Sequence, residues 1–326
     1  MGESAFRQAR EEGAPVDIAH LRDFIAVLDS GSLTRAAAEL HVSQPALSQR
    51  MAQLEHQLGV RLLERGPRGV RPTSAGRALY RDAQQLVRRF DRLADDITHD
   101  RGRVHGPVAI GLPTTVAAHL APALFSWTNT HYPGVHLRLF ESMSGYIHEL
   151  LLGGRLDLAA VYREDDAPRP AEVPLYSEDL YLIGRPEPAP SSEHEVGLLE
   201  LREVPLVIPG GRSNLRTLVD RAFAGHGLVP TVVADVESLG TMIRIAESGE
   251  ACTILPLSVF AAHRDPRGLG TRRIVDPVLT RHVAIRTATE FYEPRDAVVA
   301  VRQGIVEVTT RLATEDRWKG IRLAES

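Results

Sequence analysis

The chain has 326 residues, 43% of them hydrophobic, with 38 Lys+Arg against 42 Asp+Glu and a formal charge of −4. Such a length suits two or three domains at roughly 150 residues each, and Cys252, the single cysteine, excludes an internal disulfide and any thiolate-built zinc site. No apolar run approaches the roughly 18 residues of a membrane span, and the charged Met1–Val16 start is unlike a secretion signal, so a cytoplasmic protein with no membrane partner is expected.

The first predicted element is a helix capped by Asp17, with Leu21, Phe24, Ile25 and Leu28 on one face. Ser32 caps a second helix carrying Leu33, Ala36, Ala37 and Leu40. After the break at His41-Val42-Ser43, Ser43 caps a third helix, opened by Gln44-Pro45 and closed by Gly59, whose buried stripe is Leu47, Met51, Leu54 and Leu58. The opposite face of this third helix is polar: Gln44, Pro45, Ser48, Gln49, Arg50 and Gln53. Gln and Ser can hydrogen-bond base edges, and Arg can pair with guanine or phosphate. Helix pairs of this kind also occur inside all-α proteins, so the pattern alone does not decide for DNA. The following Leu62–Pro72 stretch reads as two short strands joined by a basic Gly/Pro turn, a wing that puts Arg65, Arg68 and Arg71 beside a groove. Ser32, Thr34, Arg35 and Ser43 complete the candidate DNA-facing set. Arg35, Arg50, Arg61, Arg65, Arg68 and Arg71 outnumber Glu39, Glu55 and Glu64 here, a basic head on an acidic chain.

Thr73-Ser74-Ala75-Gly76 starts a long helix reaching about Arg101. Leu79, Ala83, Leu86, Phe90, Leu93 and Ile97 recur on it at alternating spacings of four and three, a heptad seam. A seam needs a partner helix, and the same helix of a second copy would supply it, presenting two third helices to two half-sites.

Beyond Arg103 short strands alternate with helices, the pattern of α/β domains. Strands are expected at Val108–Leu112, Val135–Phe140, Leu156–Val161, Leu180–Gly184, Val204–Ile208, Thr231–Val236, Cys252–Leu255 and Val283–Arg286. Hydroxyl residues stand at four predicted helix starts: Thr114 and Thr115, Ser144, Ser213 and Ser238. Each is first a helix cap. Where strand ends converge, however, such hydroxyls and free N–H groups can hold an anion or polar small molecule. The Pro209-Gly210-Gly211-Arg212-Ser213 turn adds a cation at such a place.

Residues 17 to about 76 resemble the N-terminal domain of LysR-type transcriptional regulators, through Gly31–Ala37, Val42–Ser48, Leu54-Glu55, Leu58-Gly59, Leu62–Arg65 and Thr73–Gly76. One departure stands out: the family usually has Arg directly after the serine, whereas Gln49 precedes Arg50 here. Gly106–Pro113, Leu150–Ala159 and Gly249–Pro256 extend the likeness to about residue 314, and Gly111–Thr115 with Met143–Tyr146 is similar to the nitrogen-assimilation-control branch. The resemblance implies an α/β chain with an α-rich head. A flexible extension (1–16) would precede a winged helix-turn-helix (17–72) and a linker helix for dimerisation (73–103). A two-lobed, periplasmic-binding-protein-like effector domain (104–314) and a tail (315–326) would follow. Its lobes would be 104–163 with 270–314, and 164–269. By the same resemblance Gln44, Pro45 and Ser48 face the major groove, Arg68 enters the minor groove, and an effector meets Pro113, Thr114, Thr115, Ser144, Gly145, Gly211, Arg212, Ser213 and Ser238.

The expected function is therefore a ligand-responsive regulator that binds promoter DNA as a homodimer or homotetramer, takes a small effector such as a carboxylate, bends its site and meets RNA polymerase, with no cofactor. A solute-binding protein would share the body without needing the head. An α/β enzyme would need a constellation that is missing from the sequence: there is no G-x-S-x-G, no G-x-G-x-x-G after a strand and no P-loop. Asp157 and Glu237 lie near strand ends with no identifiable catalytic partner.

Overall fold

The computed structural model describes residues 16–66, 69–98, 104–165, 167, 169–185, 194–261, 268–288 and 294–324. The chain separates into two compact units, a head of Met1–Arg101 with Gly153–Arg155 and a body of Gly102–Leu152 with Leu156–Ser326.

In the head the predicted caps form. Helix α1 (Ile18–Ser30) starts where the Asp17 carboxylate accepts from His20 N at 2.8 Å, and stops at Gly31 with φ +61°. Helix α2 (Leu33–Glu39) is capped by Ser32 and helix α3 (Gln44–Leu58) by Ser43, with Gly59 at φ +67° ending the latter. Strands β1 (Leu63–Gly66) and β2 (Gly69–Pro72) pair antiparallel as the wing. Glu55 fixes where the wing begins by accepting from Leu62 N and Leu63 N at 2.7 and 2.9 Å. Gly69, at φ +102°, has no room for a Cβ, which would lie 2.5 Å from the Gly31 carbonyl oxygen. Phe24, Val27, Ala36, Leu47, Met51 and Leu54 fill the core between the three helices.

Helix α4 (Ser74–Thr98) follows, and the predicted seam divides along it. Ala83 is fully buried against Leu21 of α1 together with Val87, and half-buried Leu79 packs there too. The early part of the stripe is thus core of the chain's own head, because the first turns of α4 lie on α1. Leu86 and Phe90 are 53% and 52% exposed. The side chains of Leu93 and Ile97 lie outside the described residues.

The body is organised by one long strand. Strands β3 (Gly106–Pro113), β4 (Val135–Ser142) and β5 (Leu158–Arg163) are parallel neighbours, and β12 (Thr280–Thr287) joins β5 antiparallel. Strand β6 (Glu172–Gly184) pairs with β12 over Glu172–Asp179. It then continues into a second lobe, where Leu180–Ile183 pair with β10 (Thr253–Pro256) and Tyr181–Gly184 with β11 (Gly270–Val275). Strand β7 (Glu195–Gly197) lies beside β11, and a Leu206–Cys252 bridge attaches the pair β8 (Leu206–Ile208) and β9 (Val232–Asp235). Helices α5 (Thr114–His131) and α9 (Asp296–Thr314) cover one face of lobe 1 and α6 (Ser144–Leu152) packs on Ala109, Leu156 and Ala159. Helices α7 (Asn214–Ala224) and α8 (Leu239–Ser248) serve lobe 2 through Val219, Phe223, Met242 and Ile243.

Three expectations are corrected. The strand predicted as Leu180–Gly184 begins at Glu172, because Glu178 and Asp179 interrupt its apolar pattern although both are buried. The lobe boundaries move with it: Glu172–Asp179 belong to lobe 1, and β11 belongs to lobe 2, so the return to lobe 1 starts near Thr280 rather than 270. Strands β7, β11 and β13 (Ile321–Leu323) were not singled out by pattern, being short, polar or both, and helix α9 was passed over although Ala297, Val301, Ile305, Val308 and Leu312 give it a buried apolar face.

The third correction concerns the 315–326 tail. Trp318 is 2% exposed, stacked on His119 with centroids 4.7 Å apart and edge-on to Tyr176. Strand β13 adds to β6 opposite Tyr176–Glu178, and Arg322 grips Asp179 at 2.6 and 3.0 Å. Asp179 also accepts from Thr280 and Arg273. Burial alone would raise its pKa, but the bonds from Arg322, Thr280 and Arg273 lower it from 3.8 to about 2.

Trp318→Ala is expected to destabilise the body by about 3 kcal/mol in urea unfolding, as for large aromatic truncations in cores. Because the folded pKa of Asp179 is depressed, its contribution is complete above the ordinary carboxylate pKa and is lost as pH falls through about 2. Asp179→Asn should therefore cost about 2 kcal/mol at neutral pH and nearly nothing at the acid end, read from melting temperature against pH.

Candidate functional site

On the head, Gln44, Pro45 and Gln49 stand exposed along the start of α3, with Ser48 half-buried among them. A wing arginine reaches this face: Arg65 Nη1 donates to Ser48 Oγ at 2.9 Å. Arg50 turns the other way. Its Nη1 lies 3.0 Å from Oδ2 of Asp23, a buried carboxylate on α1, so one end of its guanidinium ties α3 to α1. Ser32 and Ser43 are spent as caps, accepting from Arg35 N and Ala46 N. The Arg35 guanidinium donates to the Ser30 carbonyl. Thr34 and Arg71 are exposed. Arg68 lies outside the described residues. What the face can do follows from its groups: two amides, each able to give and accept beside one another, and a hydroxyl held by a cation.

In the body three of the four hydroxyl-bearing helix starts, at Thr114-Thr115, Ser144 and Ser213, converge between the lobes. Pro113 occupies the cap position of α5 and makes no side-chain cap bond. Thr115 Oγ1 meets Tyr162 OH at 2.7 Å and accepts from Arg281 Nη2 at 3.2 Å. Arg281 is buried over the Tyr162 ring, 4.0 Å from its centroid, and paired with Glu178 at 2.7 Å. Glu178 Oε2 accepts from Ser258 Oγ at 3.0 Å. Burial raises the Tyr162 pKa, with Arg281 opposing and Glu178 reinforcing. Burial acts most strongly on Arg281 and would lower its pKa, but Glu178, Tyr162 and Tyr176 together outweigh it and raise it. The network is thus a neutral phenol held against a fixed ion pair.

Around it lies a slot with about 40 Å³ of free volume, lined by Thr114, Thr115, Ser144, Tyr162, Ser213 and Arg281 among others. That is room for a few waters. On the other side of Ser144 and Tyr162 is an open chamber of about 450 Å³, lined by Gly145, His148, Glu149, Arg212, Asn214 and Thr217. Lobe-to-lobe contact separates the two spaces. Asn214 N reaches Ser144 Oγ at 3.4 Å, a Cβ on Gly145 would stand 2.6 Å from the Arg212 carbonyl oxygen, and Arg212 forms an ion pair with Glu149.

Of the effector candidates, Pro113, Thr114, Thr115, Ser144 and Ser213 line the slot, and Gly145 and Arg212 line the chamber. Ser238 and Gly211 line neither space; Ser238 is spent capping α8, accepting from Thr241 N. Tyr162, Glu178 and Arg281 escaped the sequence reading. The adjacent acids Glu178-Asp179 inside an apolar run were the available signal, since buried carboxylates demand cations. Asp157 and Glu237 are structural: Asp157 accepts from Ala109 N at 2.8 Å and Glu237 from Gly210 N at 2.9 Å. Among the described residues no cluster of His, Cys, Asp or Glu could hold a metal ion, and no helix is long and apolar enough to cross a membrane.

Two family models match the chain: the LysR substrate binding domain over residues 101–305, and the bacterial regulatory helix-turn-helix protein, lysR family, over residues 18–77. The nitrogen assimilation regulatory protein nac of Klebsiella aerogenes is 31% identical over 304 residues, covering 93% of this chain and 98% of its own. Its counterpart in Escherichia coli (strain K12) is 34% identical over 240 residues, 73% and 77% of the two chains. Among solved structures, CbnR, a LysR family transcriptional regulator, superimposes with TM-score 0.63 at 27% identity over 91% of this chain and 99% of its own. Full-length CbnR complexed with its target DNA gives TM-score 0.63 at 28% identity, with the same coverage.

Glu178→Gln is expected to destabilise the body by about 3–5 kcal/mol, because it leaves Arg281 charged, buried and unpaired. Replacing both with Met should cost much less. Equal losses for the single and double variants, measured by urea unfolding, would contradict the pairing.

Proposed function

The chain belongs to the LysR family of DNA-binding transcriptional regulators, and from that premise we propose that it reads promoter DNA as a dimer or tetramer and changes its output when a small molecule enters the interlobe cleft. The observation that carries this reading is the convergence of Thr115, Ser144, Ser213, Tyr162 and Arg281 between two lobes strung on a single strand. A ligand favouring one lobe spacing shifts the population only by its difference in affinity for the two states. In a paired assembly that shift would alter the separation of the heads, hence the bend of the DNA and the contact made with RNA polymerase.

On DNA, Gln44, Gln49 and Ser48 are the base readers, while Arg65, Arg68 and Arg71 serve the wing and the phosphates. Gln49 occupies the position where the family usually has Arg. Its amide suits adenine N6 and N7, where an arginine would suit guanine O6 and N7. Arg50 positions the helix through Asp23 and is withdrawn from the reading set. Exposed Leu86 and Phe90 extend the apolar stripe of α4 towards a second copy. A cytoplasmic site of action follows from the DNA partner, and the reading assigns the chain no catalytic step.

Gel shifts on the promoter region of the chain's own gene test the reading. Affinity should fall with salt at a slope of about −0.9 per phosphate neutralised. Gln49→Ala should cost about 1–3 kcal/mol on the specific site and little on random duplex, whereas Arg71→Ala should weaken both alike. Arg50→Ala should lower the melting temperature of the head and leave base preference unchanged; loss of preference without loss of stability would return Arg50 to the groove.

A further inference from the structure

We infer that the effector of the interlobe cleft is a zwitterion of the amino-acid class, seated in the outer chamber between Arg212 and Glu149. The inference rests on the reading that the interlobe space takes the effector. The slot beside Thr115 is filled by the protein's own Thr115–Arg281–Glu178–Tyr162 network and keeps only about 40 Å³. The chamber, at about 450 Å³, falls in the range of small-molecule sites, about 300–1,000 Å³.

The charges in the chamber come in a matched pair from the two lobes, Arg212 from the turn before α7 and Glu149 from α6. A ligand entering there must part them. A carboxylate alone would satisfy Arg212 and set its charge against Glu149; an amine alone would do the reverse to Arg212. A molecule carrying both charges replaces each side chain's partner at once. The ion pair it displaces is solvent-exposed on both sides, with side chains 77% and 46% accessible, and such pairs contribute little to stability.

A second group points to the ammonium end. Asn214 belongs to the chamber wall, and its Oδ1, closed off from the open chamber while the lobes are in contact, makes no hydrogen bond among the described residues. It is an acceptor lacking a donor, and buried acceptors are rarely left so. An ammonium has three protons to give, enough for Glu149 and, once parting of the lobes uncovers it, for Asn214 Oδ1. The hydroxyls of Ser144 and Thr217 and the ring of His148 supply the remaining polar wall. Because the two charged anchors belong to different lobes, a bound zwitterion bridges the lobes as the ion pair does, but at a larger separation. Occupancy therefore changes lobe spacing.

Thermal shift and titration calorimetry on the full chain test this with glycine, L-alanine, L-serine and L-glutamate, beside acetate, propionate, succinate and methylamine as single-charge or anionic counterparts. At least one amino acid is expected to raise the melting temperature by a few degrees, with its counterparts inert. Glu149→Gln and Arg212→Gln should each weaken its binding about tenfold or more. Arg221→Gln, which removes an ion-pair arginine on α7 that does not line the chamber, should leave it unchanged. Counterparts that bind as tightly as the amino acids, or an affinity unaltered by Glu149→Gln and Arg212→Gln, would overturn the inference, as would no shift from any amino acid. If a carboxylate shifts the melting point and Thr115→Val abolishes that shift while Glu149→Gln does not, the effector reading stands and the zwitterion assignment falls.

Discussion

Two carboxylates placed side by side in the middle of β6, Glu178 and Asp179, govern how the body is built. Neither can stay ionised inside protein without cations, since the cost of stripping water from an isolated charge exceeds what hydrophobic burial around it returns. Alternation along a strand sends the two side chains to opposite faces. Glu178 therefore draws in Arg281 and Ser258 on one side, and Asp179 draws in Arg273, Thr280 and Arg322 on the other. Those partners lie on β11 and β12, on β13 and in the short turn after β10. One dipeptide so determines where the two lobes meet, which strand returns between them and where the last strand attaches. It also lies one side chain away from the cleft, through Arg281 to Thr115 and Tyr162, so the same charges that organise the hinge set the electrostatics of the site.

The head follows a different logic. Its reading face is short and polar and cannot hold itself in place. Rigidity comes from behind: the Asp23–Arg50 pair, the Glu55 carboxylate on two wing amides, and the apolar face of α3 against α1 and α2. Arg65 joins wing to helix through Ser48, so a wing that moved would carry the polar face of α3 with it. A preorganised face loses less freedom on binding and transmits its orientation to the groove.

The contrast explains what the sequence could and could not reveal. Helix caps, glycine stops and heptad spacing are local signals, and in the head Asp17, Ser32, Ser43 and Gly59 act where pattern placed them. The helix starts around the cleft were equally legible, because Thr115, Ser144 and Ser213 follow strands at the proper distance. Long-range pairing was not. The direction of Arg50 depends on a carboxylate 27 residues earlier, and the role of Arg281 on one 103 residues earlier; no periodicity records either. Strand β6 was cut short for the same reason, since the residues that look most like a loop are the ones paired most completely. Trp318 was opaque because its partners, His119 and Tyr176, come from elements near in space and distant in sequence.

The placement of β13 has a consequence for biogenesis. Residues 318–323 complete the sheet of lobe 1 against a strand made some 140 positions earlier, after the whole of lobe 2 has been inserted between them. Every helix and strand of the head lies between Ile18 and Thr98, so these can fold while the body is still emerging from the ribosome; lobe 1 cannot close until synthesis has passed Leu323. Newly made chains then pass through an interval with a finished DNA reader and an unfinished sensor. A cell that translates such a regulator would meet, for that interval, a form whose helix-turn-helix is folded and whose second domain is not.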